Sequence, residues 1–164
     1  NYNLRGGIIS AVDLLKGIGI YLGLEVIQVP GATGYLDTNY QGKVENAIVS
    51  LREKDLIFLH VEAPDEASHE GSWEKKLQAL EDFDAKVVGP ALKAMKQFGP
   101  YRILLATDHF TPIETKTHSI GAVPFATCGN GLEPDGMTEY NESLRERGSK
   151  HFETGPDLIN FFLH

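Results

Sequence analysis

Apolar residues fall into two alternating patterns along this chain. Short apolar runs predict strands over residues 6–10, 24–29, 56–61, 102–106 and 123–128. Between them the spacing switches to a helical period. Val12, Leu15, Ile18, Tyr21 and Leu22 predict a helix over 11–22, with Ser10 and Asp13 as its capping box and Gly23 as its stop. Thr38 and Gln41 form a second capping box for a helix over 39–52. Ser72 opens the longest pattern. Trp73, Leu77, Leu80, Phe83, Val87, Val88, Leu92 and Met95 lie on one side of it and are expected to be core. Gly89-Pro90 predicts a kink, because proline removes a helical hydrogen bond, and Gly99-Pro100 an end. A short polar helix or turn is expected over 141–147. Pro156 opens a last helix over 157–163, where proline is tolerated.

The order is βαβαβαβ, then another strand and short helices. It predicts an α/β fold: a mostly parallel sheet with helices on both faces. In such sheets ligands lie beyond the carboxyl ends of the strands. At 164 residues the chain reads as one domain. A formal charge of -8 argues against a nucleic-acid surface, which needs a basic footprint. No apolar run approaches the ~20 residues of a membrane span. The start, Asn1-Tyr2-Asn3-Leu4-Arg5, lacks the apolar core of a secretory leader. The single cysteine, Cys128, excludes an internal disulfide, reads as a small core residue and fits a cytoplasmic location.

The stretches that follow two of the strands carry the chemistry. His60-Val61-Glu62-Ala63-Pro64-Asp65-Glu66-Ala67-Ser68-His69-Glu70-Gly71 follows the third strand. Asp108-His109, with His118 nine residues on, follows the fourth. Carboxylate and imidazole together suit zinc, manganese or iron. Asp65 and His69 are four apart, so one helical turn places them on one face. Asp108 and His109 are adjacent and would point apart in a regular strand; a strand end or loop relaxes this. Five candidate ligands exceed one tetrahedral site and point to two metals, a centre that suits phosphoryl transfer. Simpler readings exist: an exposed Asp-His ion pair, and turn chemistry at Asp-His before Phe-Thr-Pro. His60 reads as a packed core residue or a donor behind the ligands, and His151 and His164 as surface residues. The 31–35 loop is glycine-rich but lacks the spacing of a phosphate-binding fingerprint.

Taken together, these stretches resemble the C-terminal part of the archaeal-type cofactor-independent phosphoglycerate mutases, within the alkaline phosphatase superfamily. The matching segments are 9–19, Val29-Pro30-Gly31-Ala32-Thr33-Gly34-Tyr35-Leu36-Asp37-Thr38, 60–71, Ala106-Thr107-Asp108-His109-Phe110-Thr111-Pro112, Thr117-His118, Val123-Pro124-Phe125 and Tyr140-Asn141-Glu142. The resemblance implies an incomplete alkaline-phosphatase-like fold, with residues 1–164 as the C-terminal segment of a metal-binding phosphatase domain. It implies that Asp65, His69 and His118 bind one divalent metal and that Asp108 and His109 bind a second. Manganese is the first choice, with zinc, magnesium, cobalt or iron as alternatives, and no organic cofactor. It implies interconversion of 3- and 2-phosphoglycerate through a phosphoserine. The nucleophilic serine, a further aspartate and the inserted substrate domain would lie upstream of this chain, so residues 1–164 alone are expected to be inactive and to self-associate. Lys43 is the candidate phosphate or carboxylate contact. The enzyme alternative is a metal-dependent phosphohydrolase or another phosphomutase; the other is a non-catalytic metal-binding domain. A reading frame open upstream of Asn1 separates the fragment from a complete chain.

Overall fold

The computed structural model describes residues 2–164; Asn1, the first residue of the stretch read for a leader, lies outside them. The chain forms two compact units: Asn1–Met95 with Thr111–Thr117, and Lys96–Phe110 with His118–His164.

In the first unit three parallel strands lie in the order β2-β1-β3. They are β1 (Gly6–Ile9), β2 (Glu25–Val26) and β3 (Leu56–Leu59). All four residues of β1 are buried, as befits a central strand covered on both faces. Adjacent strand residues point to opposite faces, and Ile8 and Ile9 show what covers each. Ile8 packs under Gly19 of α1 (Asp13–Tyr21), where a Cβ would sit 2.7 Å from Ile8 Cγ2. Ile9 packs with Val29 and with Ala47 of α2 (Tyr40–Ser50). The expected parallel sheet with helices on both faces is therefore present here.

Two helix starts differ from the predicted capping boxes. Val12, not Ser10, precedes α1 and has no side-chain cap; Ser10 Oγ accepts the Val12 N–H at 3.0 Å and turns toward His60. Asn39 caps α2 by accepting the Gly42 N–H at 2.8 Å, while Thr38 Oγ1 accepts from Thr33 N–H in the glycine-rich loop. The Ser10 hydroxyl went to a partner 50 residues away, and that of Thr38 to its own loop five residues back. After β3 come α3 (Ala63–Glu70) and α4 (Trp73–Phe83), the latter capped by Ser72 as expected. The kink expected at Gly89-Pro90 is a π-helical turn over Asp84–Val88, leading into α5 (Gly89–Met95). Widening the helix ahead of Pro90 accommodates the residue that cannot donate. The stripe expected as core is only partly so. Trp73 is 64% exposed, and Leu77 and Leu80 are exposed too, whereas Ala79 and Val87 are buried. Val87 packs with Tyr40 and Val44 of α2.

In the second unit β4 (Arg102–Ala106) and β5 (Phe125–Gly129) pair antiparallel. No helix lies between them to make the crossover that a parallel pair needs. Two short helices follow, α6 (Leu144–Arg147) and α7 (Gly155–Leu163). Arg102 ties α7 to the strand by donating to Phe162 O at 2.8 Å. Cys128, expected in the core, is exposed on β5. Among the described residues no helix is long and apolar enough to cross a membrane.

Candidate metal centre

The β3–α3 junction builds the first set of candidate ligands. Strand β3 ends at Leu59, and α3 starts at Ala63 with Pro64 in its first turn, where the missing N–H costs nothing. Asp65 and His69 then fall on one face of α3, as their spacing predicts. His69 Nε2 and Asp65 Oδ2 are 3.1 Å apart.

The other atom of each side chain is held from the 111–117 segment of the same unit. His69 Nδ1 donates to the Lys116 carbonyl at 2.8 Å. Thr111 Oγ1 donates to Asp65 Oδ1 in a short hydrogen bond. The Thr111 carbonyl is itself fixed by Lys76 Nζ at 2.9 Å. Gly71 makes the Lys116 contact possible: it ends α3 with a φ of 77°, and a Cβ there would run into the Lys116 side chain. The Lys116 carbonyl raises the His69 pKa above that of an ordinary histidine; burial opposes it, and the Asp65 and Glu66 charges and a hydrogen bond to Asp65 add smaller upward effects.

This arrangement tests whether a cation fits. A carbonyl can only accept, so Nδ1 carries a proton, and a neutral His69 ring then presents a bare lone pair at Nε2. Facing it is a carboxylate oxygen, also an acceptor. Two acceptors 3.1 Å apart need something positive between them. A proton on Nε2 is one answer. A divalent ion bound at about 2.0–2.2 Å from each is the other, and it matches nitrogen and oxygen ligands at this spacing. A histidine whose second nitrogen donates to a carbonyl is the usual support for a metal ligand. The donor set therefore fits the metal that the sequence implies.

The second unit delivers the remaining candidates. Asp108 and His109 lie beyond the end of β4, in a loop, so the opposite-face rule does not apply to them. Asp108 accepts the His109 N–H at 3.0 Å, and its other oxygen lies 3.3 Å from His109 Nε2. His118 returns beside His109, the rings stacked with centroids 3.8 Å apart. A backbone bridge between Phe110 and Ser119 brings the chain back. Tyr140 anchors the strand end: its hydroxyl donates to Pro124 O at 2.9 Å and lies 3.2 Å from Thr107 Oγ1.

Lys43 is placed differently from a solvent-facing contact. It is 0% exposed, and its ammonium donates to the His60 carbonyl at 3.2 Å. Burial lowers its pKa, while the Glu62 charge pulls the other way. His60 lies just past β3, with Nδ1 3.2 Å from Ser10 Oγ and Nε2 3.2 Å from Glu62 Oε2. Sequence reasoning missed Thr111 and the Lys116 carbonyl as supports. Thr111 sat in plain view in the Asp-His-Phe-Thr motif; a backbone carbonyl leaves no signal.

The Metalloenzyme superfamily profile matches residues 1–155. The chain is 53% identical over 164 residues to the 2,3-bisphosphoglycerate-independent phosphoglycerate mutase of Methanosarcina acetivorans, covering 99% of this chain and 41% of that protein. It is 50% identical over 163 residues to the probable 2,3-bisphosphoglycerate-independent phosphoglycerate mutase of Geobacter sulfurreducens, again 99% and 41%. The solved structure of the PH0037 protein from Pyrococcus horikoshii matches with a TM-score of 0.81 at 28% identity, over 88% of this chain and 44% of that one. Together with the superfamily match, this likeness fits a partial alkaline-phosphatase-like fold. The chain spans about 41% of the length of these curated relatives.

Proposed function

The chain belongs to the Metalloenzyme superfamily, and from that premise we propose that it is the C-terminal, metal-binding part of a phosphoglycerate mutase. The activity proposed for the whole protein is interconversion of 3- and 2-phosphoglycerate through a phosphoserine. Asp65, His69 and His118 are the proposed ligands of one divalent ion, and Asp108 and His109 those of a second. Manganese is the proposed metal. Bound there, such ions would lower the pKa of a serine hydroxyl and stabilise charge on phosphoryl oxygens. The residues of this chain supply the rest of the chemistry that can be derived. Thr111 and the Lys116 carbonyl hold Asp65 and His69 so that His69 Nε2 and Asp65 Oδ2 converge. Asp108 and His109 are brought together by the loop beyond β4.

The observation that carries this reading is the meeting of His69 Nε2 and Asp65 Oδ2 at 3.1 Å on one face of α3, with the far atom of each side chain held by the Lys116 carbonyl and by Thr111. The names of the relatives support the substrate. The test is manganese content after dialysis, in wild type and in His69→Ala. Wild type is expected to retain manganese and His69→Ala to lose at least one ion; equal content in the two proteins would remove His69 from the ligand set.

A cytoplasmic location belongs to the same proposal, as does self-association. For the latter, α1 carries Leu14, Tyr21 and Leu22 beside it at 71%, 93% and 68% exposure. Sedimentation over a range of concentrations tests it, and a monomer throughout would sink it.

A further inference from the structure

We infer that Lys43 and Glu62 are positioning residues for the ligands on α3: both grip His60, and through it they fix the start of that helix. The inference rests on the metal-binding reading above.

The whole first turn of α3 hangs from Glu62. Its carbonyl accepts from Asp65 N–H at 2.9 Å and from Glu66 N–H at 3.2 Å. Glu62 does not cap the helix with its own side chain. That carboxylate turns back to His60 instead, with Oε2 3.2 Å from Nε2. A carboxylate only accepts, so Nε2 donates. In the neutral ring Nδ1 then accepts from the Ser10 hydroxyl, whose oxygen accepts the Val12 N–H. The hydrogen bonds thus run in one direction, from the backbone beyond β1 through Ser10 and His60 to Glu62.

The backbone of His60 is held as firmly as its ring. Its N–H donates to Ile9 O at 2.8 Å, and its carbonyl accepts from Lys43 Nζ at 3.2 Å. Four polar atoms of one residue are therefore engaged, by β1, by α2 and by the first residue of the α3 junction. The glycine-rich loop closes over the same point: a Cβ at Gly34 would lie 3.6 Å from Glu62 Cγ. A fully buried ammonium with one carbonyl partner and a carboxylate nearby is a costly way to fill space. Its effect here is to pin the carbonyl two residues before Glu62. One turn later come Asp65 and His69, which must meet a cation within a few tenths of an ångström.

The test is manganese titration of the 164-residue chain, with free Mn²⁺ read by electron paramagnetic resonance, well below the melting temperature. Lys43→Met and Glu62→Ala are each expected to weaken binding by about 10- to 100-fold, the usual effect of removing support behind a metal ligand. The number of ions at saturation should not change. Glu62→Gln keeps an acceptor for His60 Nε2–H and is expected to restore most of the affinity. The double variant should lose less than the product of the single losses, because both residues act through His60. A merely structural role lowers the melting temperature and leaves affinity alone, so wild-type affinity in a folded Lys43→Met or Glu62→Ala overturns the inference. If Lys43→Met does not fold, the Glu62 pair decides. Wild type that binds no manganese sinks the metal reading itself, a result distinct from wild type that binds and variants that match it.

Discussion

His69 has one nitrogen on the Lys116 carbonyl and the other beside the Asp65 carboxylate, and that division sets its pH behaviour. Nδ1 belongs to the Lys116 carbonyl, so in the proposed metal site a proton and a metal would compete for Nε2. The His69 pKa is raised, first by that carbonyl and then by nearby carboxylates. Two opposite trends result. Without metal, a raised pKa means that the protonated form is favoured in the folded state. The stability it contributes is fully present below the unfolded pKa of about 6.5 and disappears as pH rises through the folded value. With manganese, the neutral ring is the ligand, so apparent affinity falls by about tenfold per pH unit once pH drops below the raised pKa. Melting curves against pH, with chelator and with excess Mn²⁺, should therefore change in opposite directions across this window. Parallel pH trends, or the same divergence in His69→Asn, would count against Nε2 as the shared atom. The partners that create this behaviour show why only half of the site was legible. The four-residue spacing of Asp65 and His69 on a helix is a local fact, visible in sequence. The Lys116 carbonyl that sets the tautomer is 47 residues away and has no side-chain signature.

At the scale of elements, α1 holds two glycines that sequence treats alike and packing does not. A Cβ on Gly17 meets nothing within 4 Å, whereas one on Gly19 would sit 2.7 Å from Ile8 Cγ2 of β1. Gly17→Ala should stabilise the protein by up to about 1 kcal/mol, through helix propensity alone. Gly19→Ala gains the same propensity but pushes α1 off the sheet, at an overpacking cost of about 1–3 kcal/mol. Urea unfolding of the two variants should give opposite signs; equal stabilisation would show that α1 is not held closely against Ile8. The elements themselves were readable because period and punctuation are local. What covers an apolar stripe is not local. The pattern from Trp73 to Leu80 marks one side of α4, yet small Ala79 is the residue that is buried there, and Trp73 faces out. The Ser10 cap failed for a related reason, since its hydroxyl turns to His60, 50 residues away, whereas Thr38 was taken by Thr33 of its own loop. Strand direction was also beyond local reading. The antiparallel return of β5 depends on the absence of a crossover helix after β4.

The whole molecule sets the limit on activity. The proposed reaction needs a serine nucleophile beside the proposed metal ligands, and the serines on and around α3 are already engaged. Ser68 lies between Asp65 and His69, but it is fully buried and its hydroxyl donates to Pro64 O at 2.6 Å. Ser72 caps α4 by accepting the Lys75 N–H. Ser10 is buried between Val12 N–H and His60. Freeing any of them breaks a helix start or a junction that carries ligands. The chain also spans only about 41% of the mutases it matches. Residues 1–164 should therefore bind manganese without converting 3-phosphoglycerate to 2-phosphoglycerate. A coupled assay with saturating Mn²⁺ reads this directly, and the absence of turnover should coexist with metal binding in the same preparation. Robust conversion by the purified chain would mean that a serine of this chain reaches the metals. Substituting Ser10, Ser68, Ser72 and Ser119, the neighbour of His118, in turn by alanine would then show which one carries the phosphoryl group.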